Sequence, residues 1–161
     1  SDRDREVDRI DWLISRQVNI HQKDITISRR MGMNLCEISR CSGISRALER
    51  IGDHGVLLAT NLKPLIDDPT KLDEEILSTG RKAIALVVDS VGTWSKKDML
   101  AANECIERGE ELVARSKEIS DSADELTGKP AMAAELIAGS VKRIAEYSMD
   151  ISEIAINSAM D

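Results

Sequence analysis

Apolar residues recur along this chain with the three-to-four-residue period of amphipathic helices. The first such run predicts a helix from about residue 3 to about residue 22, and its buried face is expected to hold Val7, Ile10, Leu13, Ile14 and Val18. A second run predicts a helix from residue 33 or 34 to about residue 62, with an apolar stripe of Leu35, Ile38, Ile44, Leu48, Ile51, Gly55, Leu58 and Leu62. The link between them, about residues 23–32, is left unassigned.

Prolines and polar turn residues divide the rest of the chain. Pro64 and Pro69 interrupt the helical pattern, because proline disfavours helix at the preceding residue. A third helix is expected from residues 68–70 to about residue 94, with an apolar face of Leu72, Ile76, Ile84, Val87, Val88 and Val91. Ser95 is expected to cap a fourth helix over about residues 96–123, and a turn at residues 127–130 precedes a fifth helix that ends near residue 159.

The composition agrees with this all-α pattern. The 161 residues include no Phe, one Tyr and two Trp, whereas sheets usually draw on aromatic strand formers. The expected fold is therefore an antiparallel helical bundle. No apolar run approaches the ~20 residues of a membrane span, and a net charge of −7 argues against direct nucleic-acid binding. Three cysteines without a C-x-x-C pair are typical of a reducing compartment, so we expect a cytoplasmic protein.

The second helix carries a candidate metal-binding pair. Glu49 and Asp53 are four residues apart, which stacks them on one side of a helix, away from the apolar stripe. Asp4 and Asp8 have the same spacing on the first helix. Four surface carboxylates suit a hard cation such as Mg²⁺ or Mn²⁺, or iron, with Zn²⁺ a further candidate. The alternative is a solvated acidic face that pairs with neighbouring arginines, and spacing alone leaves both interpretations open.

A short internal repeat is visible between residues 48–54 and 141–147. Each segment lies midway along a long helix that follows a charged helix. We therefore expect two repeats of three helices each, at about residues 1–64 and about residues 70–160. The first repeat would lack its opening helix, and an upstream domain would be absent from this chain.

The segment Leu48-Glu49-Arg50-Ile51-Gly52-Asp53 resembles the signature of the PhoU family of phosphate-uptake regulators. The upstream segment at residues 4–8, together with Arg16 and Gln17, is similar to the helix that precedes the signature in that family. The resemblance implies two three-helix repeats with a metal-binding patch in each. It also implies a regulator without catalytic activity, which contacts the ATPase of a phosphate transporter or a sensor protein.

The family pattern transfers to this chain residue by residue. The first implied metal site is Asp4, Asp8, Glu49 and Asp53. In the second repeat Lys142 replaces the glutamate of the signature, and a cation there would repel a metal ion. A shifted second set remains as a candidate, made of Glu107, Glu111, Glu146 and Asp150.

Three classes of function follow from these features. The first is a metal-binding regulatory adaptor, and the second is a structural or dimerisation domain whose acids are merely solvated. The third, a carboxylate metalloenzyme or iron-storage bundle, is disfavoured because the sequence has no Glu-x-x-His motif, nucleophile–base pair or phosphate-binding loop. We expect a non-enzyme. We also expect a homo-oligomer, since a missing opening helix would leave apolar surface on the first two helices uncovered.

Overall fold

The computed structural model describes residues 2–23 and 34–160, with the side chains of residues 2–4 and 22 excepted. These residues form helices and turns and contain no strand, which confirms the all-α class. The helices are α1 (Asp2–Lys23), α2 (Leu35–Asn61), α3 (Lys63–Asp67), α4 (Asp73–Lys96), α5 (Met99–Ala123) and α6 (Gly128–Ala159). The predicted link at residues 23–32 lies largely outside the described residues.

Helix α6 is the central helix of the bundle. It packs against α2, α4 and α5, and α1 packs against α2. Apolar and small side chains of α6 are almost fully buried at these contacts, including Ala134, Ile137, Val141, Ala145, Ile151 and Ala155. Removing such surface from water contributes about 25 cal/mol per Å², so α6 organises most of the core.

Helix boundaries agree with the sequence patterns where a polar cap fixes them. Asn34 caps α2: its side chain accepts a hydrogen bond from the Glu37 backbone, and the Glu37 carboxylate accepts one from the Asn34 backbone. The short helix α3 was not predicted. Pro64 lies in its first turn. A helix tolerates proline there, because the backbone N–H groups of the first turn have no acceptor within the helix and proline lacks this N–H. Helix α4 begins at Asp73 rather than at residues 68–70, and Thr70 Oγ1 donates to Asp73 Oδ1 in the preceding turn (2.8 Å).

The predicted cap at Ser95 is wrong. Helix α4 continues to Lys96, and the Ser95 hydroxyl donates to the Gly92 carbonyl one turn earlier. The chain leaves α4 at Lys97, whose φ of 54° is left-handed. Asp98 is the actual cap of α5, since its carboxylate accepts a hydrogen bond from the Ala101 backbone N–H (3.1 Å).

The predicted buried faces of the first and third helices are partly wrong. Ile10 and Leu13 are 56% and 43% exposed. Because α1 packs mainly on α2, only the side of α1 that faces α2 is covered. Ile84 and Val88 of α4 are 68% and 65% exposed. The buried face of α4 instead includes the small residues Thr79, Ala83, Ser90 and Thr93, together with Ile76 and Leu86. Leu35 and Gly55, also placed on the stripe of α2, are exposed.

Pairs of neighbouring helices run antiparallel. Val7 of α1 lies beside Gly52 of α2, and Asp11, further along α1, contacts Ser45, which is earlier in α2. In the same way Gly109 of α5 lies beside Met149 of α6, and Ser120 contacts Glu135. Helix α2 packs on α6 and joins the two pairs. The division into repeats at about residues 1–64 and 70–160 stays a prediction. None of the helices within residues 2–23 and 34–160 has the length and apolarity needed to cross a membrane.

Candidate metal centre

Three of the predicted carboxylates converge at the surface between α1 and α2. Asp8, Glu49 and Asp53 each offer one carboxylate oxygen, and these oxygens lie within 4.8 Å of one another. Asp8 and Asp53 are exposed, whereas the Glu49 side chain is only 25% exposed. Asp4 belongs to α1, but its side chain is outside the described part of the structure. Its place in the site therefore stays a prediction.

Local contacts explain why α1 brings Asp8 to this position. A Cβ atom at Gly52 would find Val7 Cγ1 at 4.0 Å, and the Ser45 hydroxyl donates to Asp11 Oδ1 (2.8 Å). The acid-bearing side of α2 thus faces α1, whereas Ile44 and Ala47 pack against Ile151 of α6. The acids therefore lie at the surface between α1 and α2, away from the residues that α2 buries against α6.

The electrostatics of this cluster favour a cation. Partial burial raises the pKa of Glu49, the Asp53 carboxylate raises it further, and Asp11 and Asp8 add to the effect. Arg50 acts in the opposite direction, with its Nε 3.5 Å from Glu49 Oε2. Burial and the neighbouring carboxylates thus both disfavour the charged form of Glu49. A metal ion at the three oxygens would offset this effect, so the residues present fit a hard cation.

Asp11 is the member of this environment that the sequence reasoning missed. It follows Asp8 by three residues, a spacing that places both on one side of α1. Its carboxylate is already held by Ser45, so it contributes to the field at Glu49 rather than to the group of three oxygens.

The second predicted set is not assembled. Among the described residues, no group of three acid, histidine or cysteine ligands other than Asp8, Glu49 and Asp53 meets the same distance criterion. Glu146 is engaged by Arg143 (2.9 Å) and lies 3.9 Å from Lys142 Nζ. Glu111 lines a groove between α4 and α5, Asp150 lines one between α2 and α6, and Glu107 is exposed on α5. Burial raises the pKa of Asp150, and the carboxylates of Glu153 and Glu146 raise it further, so two members of the set are neighbours. The lysine in place of an acid is thus accompanied by a broken ligand set.

His54 follows the metal-site acid Asp53 but lies toward α6. Its ring centroid is 6.1 Å from that of Tyr147, and its Nδ1 is buried without a hydrogen-bond partner in the part of the chain that the structure describes. Burial lowers the pKa of His54, and Arg143 lowers it further. His54 therefore serves as a neutral packing residue between helices rather than as a member of the carboxylate group.

Comparison with known proteins gives one match. No curated protein and no solved structure matches the chain. The family model of the PhoU domain matches residues 1–62, a segment that contains α1, α2 and all four acids of the first predicted site. This match confirms that residues 1–62 are similar to the PhoU domain family, as their signature segment predicted.

Proposed function

We propose that this protein is a metal-binding regulatory adaptor of phosphate uptake and phosphate signalling. The observation that carries the proposal is that the segment matching the PhoU domain also brings Asp8, Glu49 and Asp53 together. In this role the protein is not an enzyme. It acts at the cytoplasmic side of a membrane through contacts with the ATPase of a phosphate transporter or with a sensor protein.

The donor set indicates the class of metal. Three carboxylates at an open surface supply hard oxygen ligands and leave room for several waters, which suits Mg²⁺, Mn²⁺ or iron. Zn²⁺ usually takes histidine or cysteine ligands as well, and neither is in the group. Asp8 ties the ion to α1, while Glu49 and Asp53 tie it to α2. A bound cation would therefore fasten the two helices together.

Metal titration of the chelator-treated protein tests the site. We expect Mn²⁺ to bind the wild-type chain at one site, with Mg²⁺, Fe³⁺ and Zn²⁺ titrated in parallel. Metal at 100 times its dissociation constant stabilises a fold by about 2.7 kcal/mol, or about 5–11 °C in Tm for a chain of this length. The variants Asp8→Asn, Glu49→Gln and Asp53→Asn should each lose most of this shift. Glu110→Gln and Asp121→Asn, which change exposed carboxylates on α5, are the matched controls.

The regulatory part of the proposal needs a cellular readout. In cells that lack the gene, wild-type protein should restore normal control of radiolabelled phosphate uptake, and Glu49→Gln should not. Crosslinking should capture a transporter ATPase or a sensor protein with the wild-type chain. Full complementation by a chain that binds no metal would instead favour a purely structural or dimerisation domain.

We also propose that the protein is a homo-oligomer. The support is the apolar surface that α1 and α2 present to solvent, which includes Ile10, Trp12, Leu13, Val56 and Leu57. Isolated exposed apolar residues are ordinary, but several on one pair of helices favour a contact surface.

A further inference from the structure

A polar groove of about 390 Å³ lies between α1 and α2, beyond the Ser45–Asp11 hydrogen bond as seen from the metal centre. Its polar lining consists of Ser15, Asn19, Ser39, Ser42 and Arg46. Ser15 and Asn19 come from α1 and the other three from α2. The same helix pair therefore carries an acidic cluster toward one end and a groove of donor groups toward the other.

The donors of this groove have no partners within the described structure. Elsewhere, nine helical serines donate their hydroxyls to a carbonyl or a carboxylate oxygen. Ser15, Ser39 and Ser42 make no such bond to any described residue, and neither Asn19 nor Arg46 is engaged there in a hydrogen bond or ion pair. Three hydroxyls, an amide and a guanidinium thus face one space with their hydrogen-bonding capacity unused.

The local charge is positive although the chain carries a net charge of −7. Among the described residues, none that lines the groove carries a carboxylate. An adjoining groove on α1 shares Ser15 and Asn19 and adds the cations Arg16 and Lys23. Arg16 lies over the Trp12 ring, with its Cζ 5.8 Å from the ring centroid.

Two described carboxylates on the helices that form the groove already have hydrogen-bond donors. Asp11 accepts from Ser45, and Glu37 accepts from the backbone of Asn34 in the capping box. On its α6 side Arg46 shares a second groove with Asp150 and Glu153, but it makes no ion pair with either. Arg46 is therefore free to turn toward an anion between α1 and α2.

We propose that this groove binds a tetrahedral oxyanion, namely inorganic phosphate. Phosphate oxygens accept several hydrogen bonds at once, and a guanidinium can hold two of them in a bidentate pair. Arg46 supplies this charge-assisted contact, while Ser15 and Asn19 on α1 and Ser39 and Ser42 on α2 donate from the two walls. The assignment to an oxyanion rests on the groove alone, whereas the choice of phosphate over sulfate rests on the proposed function.

Calorimetric titration of the full chain with inorganic phosphate tests this proposal. Chelator is present throughout and sodium chloride holds the ionic strength constant, so that metal binding plays no part. We expect saturable binding to the wild type and at least about tenfold weaker binding to Arg46→Gln, because a charge-assisted hydrogen bond is lost. Ser42→Ala should weaken binding by a smaller factor. Arg81→Gln, which removes an exposed arginine on α4, is the matched control and should bind like the wild type.

Titrations of a further variant and with other anions distinguish the possible outcomes. Glu49→Gln removes a carboxylate of the metal site but should bind phosphate as the wild type does. Loss of metal binding with phosphate binding retained would therefore concern the metal site alone, and the reverse result would concern the groove alone. Stronger binding of sulfate or of a phosphate monoester such as glycerol phosphate would overturn the choice of inorganic phosphate. Absence of saturable phosphate binding, or equal affinity in Arg46→Gln and Arg81→Gln, would overturn the site itself.

Discussion

Gly52 lies within α2 beside the metal centre, and replacing it with alanine should stabilise the protein. A Cβ atom there would meet Val7 Cγ1 at 4.0 Å, an ordinary contact. Glycine in a helix interior costs about 0.5–1 kcal/mol relative to alanine, so Gly52→Ala should raise Tm by about 1–4 °C. Thermal unfolding with chelator present measures this. Gly109→Ala is the contrasting variant, because its Cβ would collide with the Met149 side chain, and it should lower Tm. A lower Tm for Gly52→Ala would show that α1 must approach α2 more closely.

His54 should make the fold acid-sensitive. Burial and Arg143 lower its pKa from the ordinary 6.5, Arg50 acts in the same direction, and Asp53 and Glu146 oppose them. Because the folded state binds this proton less readily than the unfolded state, His54 favours the fold above its unfolded pKa, and this contribution is lost as the pH falls below about 6.5. His54→Gln should therefore show a smaller loss of stability between pH 7.5 and pH 5.5 than wild type, measured by urea unfolding with chelator. Equal losses in the two proteins would contradict a lowered pKa.

At the residue scale, sequence spacing predicts side-chain arrangements that depend on one helix only. The pair Glu49 and Asp53 could be predicted because a four-residue interval fixes both side chains on one side of any helix. The contribution of Asp11 could not, because it depends on which side of α1 meets Ser45 of α2. The second set does not form a group of three ligands among the described residues for the same reason. Its spacing of four residues is intact at Glu107 and Glu111, but packing turns Glu111 toward α4.

At the scale of helices, the start of α5 offers a direct comparison of two candidate caps. Asp98→Ala should destabilise the protein by about 1 kcal/mol, because the Ala101 N–H loses its acceptor. Ser95→Ala should have an effect within about 0.5 kcal/mol, since its exposed hydroxyl only bonds back to the Gly92 carbonyl in α4. Chemical unfolding of both variants measures the difference. A larger effect at Ser95 would mean that α5 starts earlier than the structure has it.

Helix ends and helix faces differ in how far sequence predicts them. The predicted start of α2 at residue 33 or 34 lies next to the observed start at Leu35, and the Asn34 cap that fixes it involves only its own side chain and the next turn. The faces of α4 were misjudged because branched apolar residues are normally buried. Here Ile84 and Val88 face outward, while Ala83 and Ser90 allow α4 to pack closely. Which face of a helix is buried depends on its neighbours, and sequence periodicity does not identify them.

At the scale of the whole molecule, the arrangement of the helices depends on features that no single residue controls. Scarcity of aromatic residues and the long amphipathic runs were sufficient to predict an all-α bundle. The central role of α6 was not predicted, because it arises from simultaneous contacts with α2, α4 and α5 and a smaller one with α3. Helix α1 has one principal neighbour, and Ile10 and Leu13 of its expected buried face remain exposed. The proposed association between copies would therefore depend on how the helices are distributed.

The proposed homo-oligomer can be tested through this uncovered face of α1. Light scattering at micromolar concentration should give at least twice the 17.8 kDa mass of one chain. Leu13→Glu places a charge on the exposed face and should shift the mass toward one chain. Leu100→Glu is the matched control, because Leu100 is 78% exposed on α5, a helix that has no extensive contact with α1 in the described structure. Raising the salt concentration should strengthen association, since it screens the repulsion between copies of net charge −7. A single-chain mass for the wild type at every concentration would contradict the proposal, and equal effects of both variants would move the contact away from α1.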